Sequence, residues 1–385
     1  MANNLQQFGH DIHFLLYEGT TQDYVESALF WGGDYFHPVF PEKKRAWLRH
    51  KHKSRKFLLT SLKSIYPLGL YLLLKRLKTK PVNPKNIDSW FDMTIVKPIV
   101  DVVNHLNPDI VLVEYTYKSK IFEYIPSSIC KVLDTHDKLA DRHALYSKMG
   151  LNPEWISASQ EAEAIGLNRA DYVIAITEEE SIYFRQITKK PVVVIGHNVK
   201  MHPSPQSHKD VGKVITFIGA QNAINLSAVK FMLNEVMPFV YQKAPDVVFQ
   251  IAGGVTNDID PEWVQPELIK LIPNANLESL YANTSVVVNP ALCGTGLRIK
   301  TIEALAYSQA VVTTSAGASG LLHGAGNAFL LADDAGAFAD AIVSLLLNKD
   351  KRTALKKKSQ QFVAEYNENV LRNTESVFGR VGKER

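Results

Sequence analysis

The sequence has little cysteine, no long apolar run and no strong excess of one charge. Its 385 residues include only two cysteines, Cys130 and Cys293, which argues against a disulfide framework or a zinc cluster and fits a reducing compartment. The longest nearly uncharged apolar run covers residues 65–74, whereas a membrane-spanning helix needs about 20 residues. The N-terminus lacks a basic start followed by an apolar stretch, so we expect no secretory signal. These absences predict a cytoplasmic protein without a transmembrane helix.

The net charge of +4 hides one strongly basic segment. Residues 42–80 hold 13 of the 43 lysines and arginines and a single acidic residue, Glu42, so this window carries +12 and the rest of the chain −8. Aromatic residues and leucines are interspersed with the cations, a mixture that can lie on an anionic membrane surface. A nucleic-acid patch and a helical insertion solvated on its basic side are the alternatives. No nucleic-acid-binding fold accompanies the segment, so we expect a membrane contact and no nucleic acid.

The pattern of the chain predicts two α/β domains. From about residue 95, short runs rich in valine and isoleucine alternate with amphipathic stretches, which is typical of parallel sheets covered by helices. The predicted units are a first domain over 1–197 with the basic insertion 42–80, a linker over 198–212, a second domain over 213–350, and a helical end over 351–385 that can return to the first domain.

The start of the chain is unusual for an α/β protein. Gly9 is predicted to end a helix in a left-handed turn, and residues 11–17 have the pattern of a buried strand. A strand would normally precede that helix, so the first strand and its glycine-rich loop are expected to be missing from this sequence.

The most informative stretch is NPALCGTGLRIKTIEALA, residues 289–306. A strand, a loop with two glycines and a helix follow one another here, and a helix N-terminus with free backbone N–H groups suits a phosphate. Arg298 and Lys300 add positive charge, and Glu303, about one turn further on, can accept hydrogen bonds from ribose hydroxyls. Local chemistry alone leaves open a plain strand-to-helix connection with solvated side chains.

From about residue 109 the chain resembles GT-B glycosyltransferases of the glycosyl transferases group 1 family. The passages that carry the resemblance are LDTHD (133–137), FIGAQNAIN (217–225), GTGLRIKTIEALA (294–306) and AVVTTSAGASGL (310–321). The resemblance implies two doubly wound, Rossmann-like domains facing across a cleft. It also implies transfer of a hexosyl-type sugar, with retention, from a nucleotide-diphospho-sugar to a glycan or lipid-linked acceptor, and no metal or other cofactor.

The resemblance also implies the site residues. His136 and Asp137 are the candidate catalytic residues on the acceptor side. The residues expected to bind the donor lie in two loops and one helix of the second domain: Gly219, Asn222, Thr295, Gly296, Arg298, Lys300 and Glu303. For His136 and Asp137 the alternatives are a satisfied buried histidine and a helix cap.

Two departures from the family pattern bear on the donor site. Many members have two glutamates separated by seven residues, and here Thr295 stands at the first of these positions. Members often carry a basic residue in the loop after Gly219, where this chain has Gln221, Asn222 and Asn225. More of the phosphate charge is therefore expected to fall on the cations near residues 298–300.

The remaining candidate residues have a minor predicted role or none. Gly253 and Gly254 are expected to line the base pocket. Arg142 is interpreted as a solvated helix residue, with a position facing the same cleft as the alternative. The acidic clusters, Glu161 with Glu163 and residues 178–180, are interpreted as solvated helix faces.

The sequence thus predicts a glycosyltransferase of polysaccharide biosynthesis, located in the cytoplasm or peripherally on the inner membrane face. Two alternatives remain at this point. One is a sugar-nucleotide epimerase with the same architecture. The other is an inactive nucleotide-sugar-binding or scaffold protein, which the expected absence of the first strand and loop keeps open.

Overall fold

The computed structural model describes residues 5–6, 8–16, 36–38, 86–148, 150, 156–203 and 212–381. The basic segment 42–80 lies outside these residues, so its predicted membrane contact stays a prediction. Within the described residues, no helix is both long enough and apolar enough to cross a membrane.

The first domain is built on parallel strands. Its elements in chain order are β1 (Phe14–Leu16), β2 (Phe36–Pro38), α1 (Val96–Leu106), β3 (Ile110–Glu114), β4 (Cys130–Asp134), α2 (Arg142–Lys148), α3 (Gln160–Leu167), β5 (Tyr172–Ala175), α4 (Glu178–Ile187) and β6 (Val192–Val194). Strands β3 to β6 form one sheet in sequence order, and β1 and β2 form a separate two-stranded sheet. Gly9 has the left-handed φ of 83° expected of a residue that ends a helical turn.

The second domain follows the same plan with a larger sheet. Its elements are β7 (Val214–Ile218), α5 (Ala223–Phe231), α6 (Met237–Lys243), β8 (Val248–Ala252), β9 (Ile269–Ile272), α7 (Leu277–Ala282), β10 (Val286–Asn289), α8 (Ile299–Ala306), β11 (Val311–Thr313), β12 (Leu330–Leu331) and α9 (Ala335–Leu347). The six strands are parallel and lie in the order β12-β11-β10-β7-β8-β9. Counted within the domain, this is the 3-2-1-4-5-6 order of a Rossmann fold.

The strand order fixes where a ligand can bind. Successive strands are added toward one edge of the sheet from β7 to β9 and toward the other edge from β10 to β12. Ligands of doubly wound folds occupy the crevice beyond the carboxyl ends of the strands where this order reverses, which here is between β7 and β10. The loops that follow these two strands start at Gly219 and Pro290, and they contain the two passages of the predicted donor site.

The cores of both domains are apolar and closely packed, as the strand patterns predict. All four residues of β10 and all three of β11 are buried, which suits strands covered on both faces by helices. By contrast, the five residues of β3 are all at least partly exposed.

The last helix, α10 (Lys349–Val381), connects the two domains. Leu355 and Phe362 pack into the second domain, whereas Val377 and Phe378 pack against the first sheet. Between these contacts, the side chain of Asn367 donates a hydrogen bond to the Val199 carbonyl and accepts one from the Val199 N–H. The helix therefore holds the start of the linker as well as both domains.

Candidate active site

The loop from Cys293 to Arg298 forms one wall of the cleft. Gly294 and Gly296 have φ values of 126° and 74°, which favour glycine. The Arg298 guanidinium donates hydrogen bonds to the carbonyl oxygens of Ala316 (2.7 Å) and Cys293 (3.1 Å). A Cβ at Gly294 would overlap that guanidinium. Arg298 therefore shapes the loop as well as bringing charge to it.

Lys300 extends the positive charge toward the loop after β7. Its Nζ donates to Asn225 Oδ1 (2.5 Å) and lies 4.9 Å from the centre of the Phe217 ring. Burial, reinforced by the positive charge of Arg298, lowers the pKa of Lys300 to about 8. Burial likewise lowers the pKa of Arg298 from its very high ordinary value. Two partly buried cations bind an anion more strongly than fully solvated ones do.

The loop after β7 is arranged around Asn225. Asn222 caps α5, since its side chain accepts a hydrogen bond from the Asn225 N–H (2.9 Å). A Cβ at Gly219 would lie 2.9 Å from the Asn225 side chain, and one at Gly253 would lie 2.6 Å from the Gly219 carbonyl oxygen. Asn222 thus has a structural role in addition to its predicted place in the donor site, and the glycines allow the two loops to approach closely.

Glu303 lies on the same face of α8 as Lys300, one turn further along. It is half-buried next to Tyr281 and Tyr307, and burial raises its pKa. Glu303 is not among the residues that line the cavity described below, so its contact with ribose hydroxyls stays a prediction.

The first domain supplies the opposite wall. Asp137 follows β4, and its Oδ2 lies 3.3 Å from Nη1 of Arg142. Gly296 lies so close to Asp137 that an added Cβ would overlap the carboxylate. The two walls enclose a cavity of about 230 Å³. The polar and loop residues that line it are Asp137, Arg142, Tyr146, Gly294, Thr295 and Arg298.

Arg142 lines the cavity, as the alternative interpretation has it, so the preferred interpretation as a solvated residue was wrong. Its side chain is only 16% exposed and is paired with Asp137, because the chain turns sharply at Asp141, whose φ is 57°. The turn directs α2 along the cleft, and Arg142 faces the donor loop instead of solvent.

His136 is not among the residues that line the cavity. Its backbone is left-handed (φ 58°), and its ring stacks on Tyr115 with 4.5 Å between centres. Its Nε2 lies 3.6 Å from Glu114 Oε1 and 3.9 Å from Asp134 Oδ2. Burial opposes protonation, but the carboxylates of Glu114, Asp134 and Asp137 raise the pKa of His136 above its ordinary value. A catalytic role for His136 therefore stays a prediction.

The interpretation of two glutamates as solvated was also wrong. Glu163 is completely buried and Glu180 is 5% exposed, whereas their neighbours Glu161 and Glu179 are exposed. Burial raises the pKa of Glu180 to about 8, and burial likewise raises the pKa of Glu163.

A family model matches the second domain of this chain, and solved structures match its fold. Residues 212–348 match the family described as glycosyl transferases group 1. An uncharacterized 44.6 kDa protein in the cps region of Klebsiella pneumoniae is 28% identical over 172 residues, which are 41% of this chain and 44% of that protein.

Two solved structures are similar in fold. S. aureus TarM is 17% identical with a TM-score of 0.59, over 74% of this chain and 58% of TarM. The Anabaena protein Alr3699/HepE, solved in complex with UDP, is 13% identical with a TM-score of 0.60, over 95% of this chain and 100% of that protein.

These comparisons identify the class of the fold. The chain has the GT-B fold, and its resemblance to glycosyl transferases group 1 is confirmed. The chain covers less than two thirds of the length of both TarM and the Klebsiella protein.

Proposed function

We propose that this protein is a glycosyltransferase that moves a sugar, with retention, from a nucleotide-diphospho-sugar to a polysaccharide or lipid-linked acceptor. The observation that carries the proposal is the cavity between the domains. There a glycine-rich loop and the partly buried Arg298 of the second domain face Asp137 and Arg142 of the first, and the charge of Arg298 also acts on the nearby Lys300.

The chemistry follows from where charge develops. When the bond between the sugar and the diphosphate breaks, negative charge collects on the leaving diphosphate and positive charge on the sugar ring. Arg298 and Lys300, already fixed by hydrogen bonds, stabilise the negative charge without reorganisation. Thr295 and Gly296 lie where the transferred sugar would sit, and Asp137 faces the same space. The acceptor hydroxyl oxygen forms the new bond to the sugar as the bond to the diphosphate breaks, and the hydroxyl proton passes to the leaving diphosphate.

Relatives support this choice of substrates. Alr3699/HepE was solved with UDP and glucose, and a pneumococcal O-GlcNAc transferase of similar fold was solved with UDP and GlcNAc. The occurrence of a relative in a cps region fits a polysaccharide or glycolipid acceptor.

The proposal is tested by incubating the protein with UDP-, GDP-, ADP- and dTDP-sugars, with and without glycolipid extracted from cell envelopes. We expect release of nucleoside diphosphate that depends on the extract, and an NMR signal showing that the product keeps the anomeric configuration of the donor. Conversion of the sugar without an acceptor would indicate an epimerase. Binding without turnover would indicate a scaffold. Either result would overturn the proposal.

We also propose that the basic segment 42–80 holds the enzyme on an anionic membrane surface, where a lipid-linked acceptor resides. Each lysine or arginine near such a surface adds about 1 kcal/mol of attraction. Flotation with vesicles should recover the protein with anionic vesicles at low salt and leave it unbound with neutral vesicles. Equal recovery with the two kinds of vesicle would contradict this location.

A further inference from the structure

The segment Lys138–Ala140, which follows Asp137, is held through its backbone amides by a buried glutamate. Oε1 of Glu163 accepts a hydrogen bond from the Leu139 N–H (2.7 Å), and Oε2 accepts from the Ala140 N–H (3.2 Å) and the Tyr183 hydroxyl (3.0 Å). Glu163 belongs to α3 and is completely buried. A carboxylate with no access to water is costly unless its oxygens are bonded, and here both oxygens accept hydrogen bonds.

A second buried glutamate holds the preceding amide. Oε1 of Glu180, on α4, accepts a hydrogen bond from the Lys138 N–H (2.9 Å). The Lys138 ammonium lies 3.9 Å from the centre of the Tyr183 ring, on the same side of the segment. Three consecutive backbone N–H groups are therefore directed at the carboxyl groups of two glutamates on two different helices.

The backbone at both ends of this segment explains why such a clamp is needed. His136 and Asp141 have φ values of 58° and 57°, a left-handed conformation that is unfavourable for residues other than glycine and persists only where surrounding contacts impose it. With the amides between them fixed, the segment holds Asp137 in contact with Gly296 of the donor loop.

We propose that Glu163 and Glu180 are positioning residues for sugar transfer, which fix residues 138–140 and thereby place Asp137 at the donor loop. The inference rests on the proposed glycosyltransferase function. Neither glutamate lines the cavity, so each acts through the backbone and not by contact with the substrate.

The test compares Glu163→Gln and Glu180→Ala with Glu161→Gln and Glu179→Ala, which make the same changes at exposed positions on the same helices. Amide hydrogen exchange followed by mass spectrometry should be at least about tenfold faster at residues 138–140 in the first pair and unchanged in the controls. This readout requires no substrate.

Turnover supplies the second readout. In the first pair, kcat for the nucleotide-sugar should fall about tenfold or more, whereas KM and the affinity for the nucleoside diphosphate should change less than about threefold. The affinity is expected to hold because Arg298 and Lys300 are untouched. Tyr183→Phe removes only one donor to Glu163 and should show a smaller change in the same direction, which guards against misfolding of the glutamate variants.

Unchanged exchange at residues 138–140 would overturn the inference. So would faster exchange with an unchanged kcat, since the segment would then be held for stability alone. A wild-type protein that neither binds nor turns over any nucleotide-sugar would overturn the proposed function, and the inference with it. The exchange data separate this last case from the first two.

Discussion

At the scale of single residues, the cavity combines groups that are costly to bury. Lys300 is surrounded by the Phe217 ring, the Asn225 amide and the nearby Arg298 charge. A lysine whose pKa is lowered in this way is half-charged at about pH 8 and loses its remaining charge as the pH rises further. Its contribution to anion binding should therefore be sensitive to pH in a range where solvated lysines are not.

We expect the affinity for a nucleoside diphosphate to fall as the pH rises through about 8, because Lys300 then loses its proton. The dissociation constant should increase by about tenfold between pH 7 and pH 9.5, which corresponds to about 1.4 kcal/mol. Calorimetric titration at several pH values measures this. Lys300→Met should bind weakly with little pH dependence, and the exposed Lys270→Met should behave as wild type. A flat profile in the wild-type protein would rule out the assignment.

Gly296→Ala should disrupt the contact between the two domains. The φ of 74° costs a residue with a side chain about 1–2 kcal/mol, and the added methyl group would overlap the Asp137 carboxylate. We expect a lower Tm and at least about fivefold weaker binding of nucleoside diphosphate. Gly336→Ala, in α9 with no close contact below 3.5 Å, is the control and should not weaken binding. Equal behaviour of the two variants would contradict the close approach.

At the scale of elements, the sequence predicts what depends on local periodicity. Strand β7 (Val214–Ile218) lies on one of the runs rich in valine and isoleucine, because β-branched and aromatic residues covered on both faces have no competing local structure. The amphipathic stretch that follows is not one continuous helix, because a π-helical turn, Met232–Val236, separates α5 from α6. Pro238 follows that turn and cannot donate the next hydrogen bond of a continuous helix.

The sequence does not predict tertiary contacts that bury a charged residue and leave an apolar neighbour exposed. On α3, Ile165 is 49% exposed and Glu163 is buried, the reverse of what polarity favours. The backbone amides of residues 138–140 cause this reversal, and a single sequence contains no direct sign of them. The donor loop was accessible to prediction because glycine, arginine and lysine occur there at a spacing that has few other uses.

Helix α10 should contribute strongly to the stability of the first domain. Phe378 is 2% exposed and packs with Val132, Ile174 and Ile195. Phe378→Ala should lower the free energy of unfolding by about 3–5 kcal/mol, measured by urea denaturation followed by circular dichroism. Glu375→Ala, on the exposed face of the same helix, should change it by less than about 0.5 kcal/mol. A similar small change in both variants would show that the end of α10 is not docked on the sheet.

At the scale of the whole molecule, the two sheets and the connecting helix place one charged wall opposite the other. The second domain presents Arg298, with Lys300 nearby, and the first presents Asp137 and Arg142. Neither domain alone encloses the cavity. The proposed function therefore depends on whether a nucleoside diphosphate binds between the two domains.

Calorimetric binding of UDP, GDP, ADP and dTDP to the wild-type protein and to Arg298 variants tests this most directly. The wild-type protein should bind at least one of them with a dissociation constant of micromolar order. Arg298→Ala and Arg298→Lys should both weaken that binding at least about tenfold, because lysine cannot reproduce the two hydrogen bonds that shape the loop. Arg372→Ala, on the exposed face of α10, should leave it unchanged. Equal affinity in all four proteins, or no binding to the wild-type protein, would contradict the proposed site.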